Sequence, residues 1–507
     1  MLEALRGLGY STATALADLI DNSIAAGAET VHLQFVWVGL ASFIRILDDG
    51  GGMDAGELDR AMRLGERSPL EARAAHDLGR FGLGLKTASL SQCRRLTVAS
   101  RKSSQTHCLR WDLDEIARRP DDGWYLLEDA AEGSAVHLHT LEKQPQGTLV
   151  LWEVLDRIVT PEFHEQDFLN LIDRVEQHLA MVFHRYLQGP NPRLHILINE
   201  RAVAPWNPFL INHPATWSSP VQRYPSAAGL VKAQGHVLPH RDRLEPGDYE
   251  RAGGPEGWTA QQGFYVYRNE RLLVAGGWLG LGQGRSWTRE EAHRLARIRI
   301  DIPNSADAEW KIDIRKSTAR PPVELRGRLL RLAEDIRQRA RRVFAHRGQI
   351  VTVDGKESLV EAWQAESGSG GMRYRINQDH PAVQSVLEEA GPLLPRIHAM
   401  LRVIEATVPV QRIWLDTTEG KEVPRTGFVG EAPAEVVAVL EVMFRNMIQK
   451  KGLSPQMARE QLIQRESFIG MASCQLSESL GIAQNSFWQL IYIAVSHSGA
   501  NIATRLK

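Results

Sequence analysis

The chain has few cysteines, almost no net charge and no long apolar run. Its three cysteines, Cys93, Cys108 and Cys474, lie far apart in 507 residues, which excludes the paired spacing of a zinc site. Scarce cysteine favours a reducing compartment, so we expect a cytoplasmic protein. A formal net charge of −1 excludes an overall basic field, so any contact with nucleic acid has to come from a local patch. Because neither a signal-peptide pattern nor a bilayer-spanning apolar run is found, we expect no membrane partner.

Length and composition predict a multidomain globular protein. The hydrophobic fraction of 43% and the charged fraction of 24% are typical of soluble proteins, and 507 residues exceed a single ordinary core. We divide the chain at breaker-rich stretches into four sections. They are a helix-and-strand section over 1–188, a second α/β section over 189–322, an arginine-rich helix and linker over 323–366, and a mainly helical region over 367–507.

Hydrophobic periodicity predicts an α+β fold with helices on one face of a mixed sheet. Helices are expected over 11–26, with Ser11 or Thr12 as the N-cap, over 168–186 and over 323–347. A flexible linker is expected over 367–371, and further helices over 381–407, 433–450 and 454–467. Strand patterns occupy 31–38, 43–47, 96–100, 108–113, 135–140, 148–152, 194–198, 264–267 and 297–302.

The first chemical motif lies on the first helix. Asp18 and Asn22 are four residues apart and share a helix face, whereas Asp21 is expected to point elsewhere. An amide oxygen is a suitable ligand for Mg²⁺, and a carboxylate one turn earlier suits a base that activates water. Taken alone, the pair is equally typical of a solvated acidic face.

Two glycine-containing motifs follow. Asp48 ends a hydrophobic strand and enters the turn containing Gly50 and Gly52, where a buried carboxylate suits an adenine amino group. The alternative is a tight turn held by the aspartate itself. The second motif, Gly79-Arg80-Phe81-Gly82-Leu83-Gly84-Leu85-Lys86, opens a helix, as phosphate-binding loops do, but its spacing is not that of a Walker A loop. On its own it is also typical of a flexible turn.

The order of these motifs resembles the GHKL ATPases, which include gyrase B, the ninety-kilodalton heat-shock chaperones, histidine kinases and MutL. Within that superfamily the match is best with the MORC-type branch and its bacterial members. Gly147-Thr148, leading a strand, is similar to the threonine segment that closes the adenine pocket. The resemblance implies a Bergerat-type α/β sandwich, ATP and Mg²⁺ as cofactors, and Asn22 as the metal ligand. The implied nucleotide contacts are Asn22, Asp48, Gly50, Gly52, Met53, Gly79, Arg80, Phe81, Gly82, Leu83, Gly84, Leu85, Lys86 and Thr148.

The resemblance also implies moving parts. An ATP lid is expected over 65–81, and lid closure with pairing of two ATPase domains is the expected response to ATP. The second section is similar to an S5-like transducer domain, in which a lysine reaches the γ-phosphate. Lys316 is the preferred candidate, with Lys311 in reserve. Most members of the superfamily carry glutamate as the base, whereas this chain has Asp18, so the hydrolysis that we assign to Asp18 and Lys316 is expected to be slow.

The resulting hypothesis is an ATP-gated, dimerising clamp in a DNA transaction, with bacterial anti-phage defence or restriction as the setting suggested by the resemblance. One alternative is a chaperone-like ATPase that remodels a protein partner, bound through the C-terminal region. Another is an ATP sensor or scaffold that does not hydrolyse ATP. The arginines of 323–347 suit either a DNA backbone or a solvated stalk whose apolar stripe packs on the second section.

Overall fold

The structure, a computed structural model, describes residues 6–63, 84–119, 125–307, 309–313, 316, 318–346, 362–368 and 371–413, and a few positions between 444 and 458. The chain divides into two compact units, Met1–Ala345 and His346–Lys507. Among the described residues, no helix combines the length and the apolar character that crossing a membrane requires.

An eight-stranded mixed sheet organises the first part of the first unit. Its spatial order is β5-β4-β3-β6-β2-β1-β7-β8, and all neighbours are antiparallel except β1 and β7. Asp48 pairs in register with Thr148, which places the ends of β2 and β6 side by side. The strands are β1 (Thr30–Val36), β2 (Phe43–Asp48), β3 (Arg95–Lys102), β4 (Gln105–Asp112), β5 (Leu127–Glu128), β6 (Gly147–Glu153), β7 (His195–Ile198) and β8 (Arg201–Ala202).

Helices cover this sheet, and α1 forms for clear sequence reasons. Ser11 and Thr14 make a reciprocal capping box, in which each side chain accepts from the other residue's backbone N–H. The apolar positions of α1 at helical spacing are buried in the core. The helices here are α1 (Thr12–Ala25), α2 (Ala55–Met62), α3 (Gly84–Leu90), α4 (Leu113–Arg118), α5 (His139–Glu142), α6 (Glu165–Val182) and α7 (His184–Leu187).

A six-stranded sheet organises the rest of the first unit. Its order is β10-β11-β14-β12-β13, with β9 paired to β11, and only β12 and β14 run parallel. Helix α8 (Pro246–Gly253) precedes β12. The strands are β9 (Trp217–Ser218), β10 (Gln222–Ser226), β11 (Gly229–Val237), β12 (Gly263–Arg268), β13 (Arg271–Ala275) and β14 (Ala296–Ile302).

The arginine-rich helix α9 (Val323–His346) packs on this second sheet. Leu325, Leu329, Leu332 and Ile336 form its buried stripe. A Cβ on Gly235 would lie 2.2 Å from Ile336 Cδ1, so the helix lies directly against β11. The predicted apolar stripe is thereby confirmed.

In the second unit, the described residues from 362 onward start with a hairpin of β15 (Trp363–Gly368) and β16 (Gly371–Ile376). The prediction of a flexible linker over 367–371 is wrong, because its ends pair as strand residues. Helices α10 (Pro381–Glu389) and α11 (Leu394–Ala406) follow, where one continuous helix was expected. The helices predicted over 433–450 and 454–467 lie mostly outside the described residues.

Two further expectations differ from the fold. Residues 135–140 form a 3₁₀ turn and the start of α5 rather than a strand. Leu138 and Leu141, three apart, both pack on the cluster that includes Leu149, so helical spacing overrides the apparent alternation. Strand β7, which the sequence assigned to the second section, pairs with β1 in the first sheet. The four predicted section boundaries stay predictions.

Candidate functional site

Asp48 forms one end of the candidate site. It lies at the end of β2 and is buried, with 7% of the residue exposed. Its Oδ2 accepts from Ser23 Oγ at 2.8 Å, and its Oδ1 accepts from the backbone N–H groups of Gly50 at 3.0 Å and Thr148 at 3.2 Å. Burial raises the pKa of Asp48 even though these donors oppose the shift. The carboxyl is thus fixed in direction, and Oδ2 carries fewer protein contacts than Oδ1.

The glycine turn lets the backbone pass close beside this carboxyl. Gly52 has φ +66°, and a Cβ there would lie 2.0 Å from Arg101 O. Gly147 has φ +144°, and its Cβ would lie 2.2 Å from Asp48 O. Only glycine fits such positions, because a side chain meets both a disfavoured backbone conformation and a backbone atom.

We expect Gly52→Ala to lower the free energy of unfolding by at least about 2 kcal/mol, since it adds left-handed strain and a backbone clash. Gly27→Ala is the matched control, because Gly27 has φ +77° with nothing within 4 Å of a Cβ. The control should lose about 1 kcal/mol from strain alone. Chemical denaturation measures both, and equal losses would show that the close approach at Gly52 does not matter.

Ser100, for which no role was predicted, links Met53 to Thr148, whose backbone N–H donates to Asp48. Ser100 Oγ lies 2.9 Å from Thr148 Oγ1 and accepts from Met53 N at 2.8 Å. Ser100 carries no sequence signal of its own, since isolated serines are common, and Ser23 directly follows Asn22 but has no role in the predicted site. Their positions follow from the neighbouring α1 and β3. The predicted Asp48, Gly50, Gly52, Met53 and Thr148 are therefore brought together.

Asp18 forms the other end of the site. It is 5% exposed on α1, and its Oδ2 accepts from the Tyr10 hydroxyl at 2.9 Å. Lys316 Nζ donates to Oδ1 at 3.1 Å. Burial, and then the Asp18 charge, raise the pKa of Tyr10, so that the phenol stays protonated as a donor. A Cβ on Gly84 would lie 4.0 Å from Asp18 Oδ2, so the start of α3 lies beside this carboxylate.

Asp21 lies in the same cluster, and the expectation that it points elsewhere is wrong. Lys316 Nζ lies 2.5 Å from Asp21 Oδ2, and Arg271 Nε lies 3.1 Å from the same oxygen. Burial opposes ionisation of Asp21, but the charges of Arg271 and Lys316 lower its pKa overall. Residues three apart on a helix share a face, so one ammonium reaches both Asp18 and Asp21.

Of the remaining predicted nucleotide contacts, Asn22, Leu85 and Lys86 lie among the described residues. Asn22 is exposed on α1, whereas Leu85 is half-buried against the core. Lys86 is 2% exposed and donates to the carbonyl of Ala61 in the last turn of α2 at 2.9 Å and to that of Arg63 just beyond this helix at 2.7 Å. Its contact with phosphate stays a prediction. Gly79, Arg80, Phe81, Gly82, Leu83 and the lid over 65–81 lie outside the described residues.

The two lysine candidates differ in placement. Lys311 is exposed, whereas the side chain of Lys316 is 11% exposed and contacts the two carboxylates of α1. Both lie in the segment that connects β14 to α9, with φ values of +48° and +53°. The geometry therefore favours Lys316 as the residue that links this segment to α1.

Asn22 is the predicted Mg²⁺ ligand, and its surroundings can be compared with what that ion requires. Within the described residues, no group of three His, Cys, Asp or Glu side chains is placed to hold a metal ion. The exposed Asn22 amide would supply one hard oxygen ligand. Mg²⁺ that bound there would take its other ligands from water and phosphate oxygens.

Part of the chain is similar to known proteins. The family model described as histidine kinase-, DNA gyrase B- and HSP90-like ATPase matches residues 10–148. ATPase morc-1 of Caenorhabditis elegans is 32% identical over 89 residues, which are 18% of this chain and 10% of that protein. The DNA mismatch repair protein MutL of Rhodospirillum rubrum is 31% identical over 175 residues, 34% of this chain and 24% of that protein.

A second MutL, from Neisseria meningitidis serogroup B, is 30% identical over 99 residues, 19% of this chain and 15% of that protein. The chain thus spans less than a quarter of the length of each of these relatives. The matched segment contains Asp18, Asn22, Asp48 and Thr148. Residues 10–148 are therefore a domain of the GHKL ATPase superfamily, the group of histidine kinase-, DNA gyrase B- and HSP90-like ATPases.

Proposed function

We propose that this chain binds ATP with Mg²⁺, hydrolyses it slowly, and uses the nucleotide to gate a dimeric clamp on DNA. One observation carries the proposal. The Asp18 carboxylate on α1 lies beside Gly84 at the start of α3. It also accepts from Lys316, which lies beyond the second sheet. A carboxylate that can act as a base, a glycine backbone and a lysine ammonium close together suit the terminal phosphate of a nucleotide.

The orientation of the nucleotide follows from the two ends of the site. Asp48 Oδ2 would accept from the adenine amino group, because Oδ1 already accepts from two backbone N–H groups. The triphosphate would extend along α1, where Asn22 holds Mg²⁺ and Lys316 faces the γ-phosphate. Asp18 would then take the proton of the attacking water.

The coupling to a larger movement rests on where Lys316 lies in the chain. It belongs to the segment that continues into α9, whose buried stripe packs on the second sheet. A cation that contacts ATP from this segment links the γ-phosphate to the position of that sheet. We propose that this link, with the lid, favours the paired state of two ATPase domains when ATP is bound.

Contact with DNA is proposed for the outer face of α9. Its exposed basic side chains are Arg326, Arg328, Arg331, Arg341 and Arg342. They lie outside the buried stripe, with Arg331, Arg341 and Arg342 on the far side of the helix and Arg326 and Arg328 beside the stripe, so a phosphate backbone could approach this broad surface. The names of the MutL relatives refer to DNA mismatch repair, which is consistent with this partner.

We expect the full chain to double its mass in solution when Mg²⁺ and a non-hydrolysable ATP analogue are added, and to remain unchanged with ADP. Light scattering after size-exclusion chromatography measures the mass.

In the paired state the chain should bind duplex DNA, and the affinity should fall steeply with salt. The double variant Arg331→Ala/Arg341→Ala should reduce the salt slope by about 2, since each phosphate contact contributes about 1.

Arg223→Ala is the control for charge, because Arg223 is exposed on β10 rather than on α9. A mass that does not respond to the analogue contradicts the gated clamp. DNA binding that is absent or insensitive to salt favours a chaperone-like ATPase that acts on a protein partner. ATP binding without phosphate release identifies a nucleotide sensor.

A further inference from the structure

Four charged side chains form a closed cluster where α1 meets the chain of the second sheet. We call it the quartet, and it consists of Asp18, Asp21, Arg271 and Lys316. The side chains are 5%, 1%, 4% and 11% exposed. Two carboxylates face two cations, so the quartet is neutral as a whole, which suits its burial.

The two carboxylates do not share the cations equally. Asp21 Oδ2 lies 2.5 Å from Lys316 Nζ and 3.1 Å from Arg271 Nε. Asp18 Oδ1 lies 3.1 Å from the same lysine nitrogen but 3.8 Å from Arg271 Nη2. Asp21 is therefore the main counter-ion of both cations, although the sequence predicted that its side chain points away from the site.

The Lys316 ammonium has one N–H donor more than its two carboxylate contacts use. An ammonium group has three N–H donors, and among the described residues two of them are directed at Asp18 and Asp21. The third is available to an acceptor that approaches beside Asp18. A phosphate that enters there does not have to break the contact with Asp21.

Such a tether matters because lysine is flexible. Fixing the end of a four-carbon side chain costs conformational entropy. If Asp21 already fixes the Lys316 ammonium before ATP binds, that cost is not added to the activation free energy of the reaction. Arg271 in turn fixes Asp21 from β13, where it also donates to Leu272 O at 2.9 Å. Arg271 in the second sheet thus holds Asp21 in place, and Asp21 holds Lys316 in place.

We propose that Asp21 and Arg271 are positioning residues, which hold the Lys316 ammonium beside Asp18 so that its third N–H meets the γ-phosphate. The inference rests on the proposed function, because it concerns the same nucleotide. In this role Asp21 contacts neither the nucleotide nor the metal, and it acts only by holding Lys316.

The test is a double-mutant cycle in the full chain with Asp21→Asn, Lys316→Ala and the variant that combines them. Phosphate release with saturating ATP gives kcat, and titration gives the affinity for ADP and for a non-hydrolysable ATP analogue. Asp21→Asn should reduce kcat at least 10-fold and weaken the analogue at least 5-fold, while the affinity for ADP changes less than twofold. In the Lys316→Ala background, Asp21→Asn should change kcat less than twofold.

Controls separate positioning from folding. Asp173→Asn makes the same charge change at an exposed site on α6 and should leave every value unchanged. Lys311→Ala removes an exposed lysine from the same segment and should also be neutral. Arg271→Lys keeps one positive charge for Asp21 and should retain more activity than Arg271→Met.

The outcomes are distinct. If wild type hydrolyses ATP and Asp21→Asn lowers kcat by the same factor with and without Lys316, the role of Asp21 is structural and the inference is overturned. An unchanged kcat for Asp21→Asn overturns it as well. If wild type binds neither ADP nor the ATP analogue, the proposed function fails, and the inference fails with it. A loss confined to the analogue and to kcat, and dependent on Lys316, supports it.

Discussion

Asp18→Asn is expected to reduce kcat for ATP hydrolysis at least 100-fold, with little change in the affinity for ATP. General-base catalysis contributes on the order of 10²- to 10⁴-fold, and an amide cannot take up the proton of the attacking water. Asp18 is the carboxylate beside Gly84, where the terminal phosphate is proposed to lie. Phosphate release under saturating ATP, together with nucleotide titration, measures both quantities.

The asparagine variant is suitable because it preserves the shape of the site. Its amide oxygen can still accept from Lys316, and its NH₂ group can donate to the Tyr10 oxygen in place of the present hydrogen bond. Asp173→Asn, on the exposed side of α6, again controls for the loss of one charge. If Asp18→Asn and wild type release phosphate at equal rates, Asp18 is not the base.

Asp48→Asn is expected to weaken ATP binding at least about 100-fold while the fold stays intact. The amide oxygen can still accept from Gly50 N and Thr148 N, and the Ser23 hydroxyl can turn to accept from the new NH₂ group. However, the variant then presents a donor where the adenine amino group also donates. Two donors cannot pair, and a buried site that leaves such groups unpaired discriminates strongly. Isothermal titration with ATP or ADP measures the change.

Stability provides the internal control for this variant. Because burial raises the pKa of Asp48 in the folded chain, the unfolded carboxyl ionises first, and stability falls as pH rises through the carboxyl range. Asp48→Asn removes that contribution, so its free energy of unfolding near neutral pH should be no lower than that of wild type.

The neighbouring Asp49→Asn makes the same chemical change at a carboxylate that accepts only from the backbone of Glu29 and Thr30 among the contacts described. It should bind ATP normally. If Asp48→Asn binds ATP as wild type does, the carboxyl of Asp48 does not read the adenine ring.

Local sequence was sufficient where the chemistry is local. The capping residue Ser11 and the apolar spacing of α1 predicted a helix that is found over Thr12–Ala25. Asp48 and Gly52 were predicted because a strand that ends in an acid and enters a glycine turn is a pattern of adjacent residues. The family of the N-terminal segment was recognised for the same reason, since its motifs are short and occur in a fixed order.

Local sequence misled where packing decided. The alternation in 135–140 resembles a strand, but the leucines that seal the cluster beside β6 are three apart and need a helical turn. The glycines and serines of 367–371 resemble a linker, but the ends of that segment pair across a hairpin. In both cases contacts with other segments outweigh the propensity of the segment itself.

The sequence by itself determined the α+β fold of the first domain, the acid that ends β2 beside a glycine turn, and the superfamily of residues 10–148. Only the tertiary structure decided that Asp21 belongs to the site, that Ser23 and Ser100 support Asp48 and Thr148, and that Lys316 rather than Lys311 reaches α1. The physical reason is separation along the chain. Asp21 is 250 residues from Arg271 and 295 from Lys316, so their attraction becomes visible only when folding brings the two sheets together.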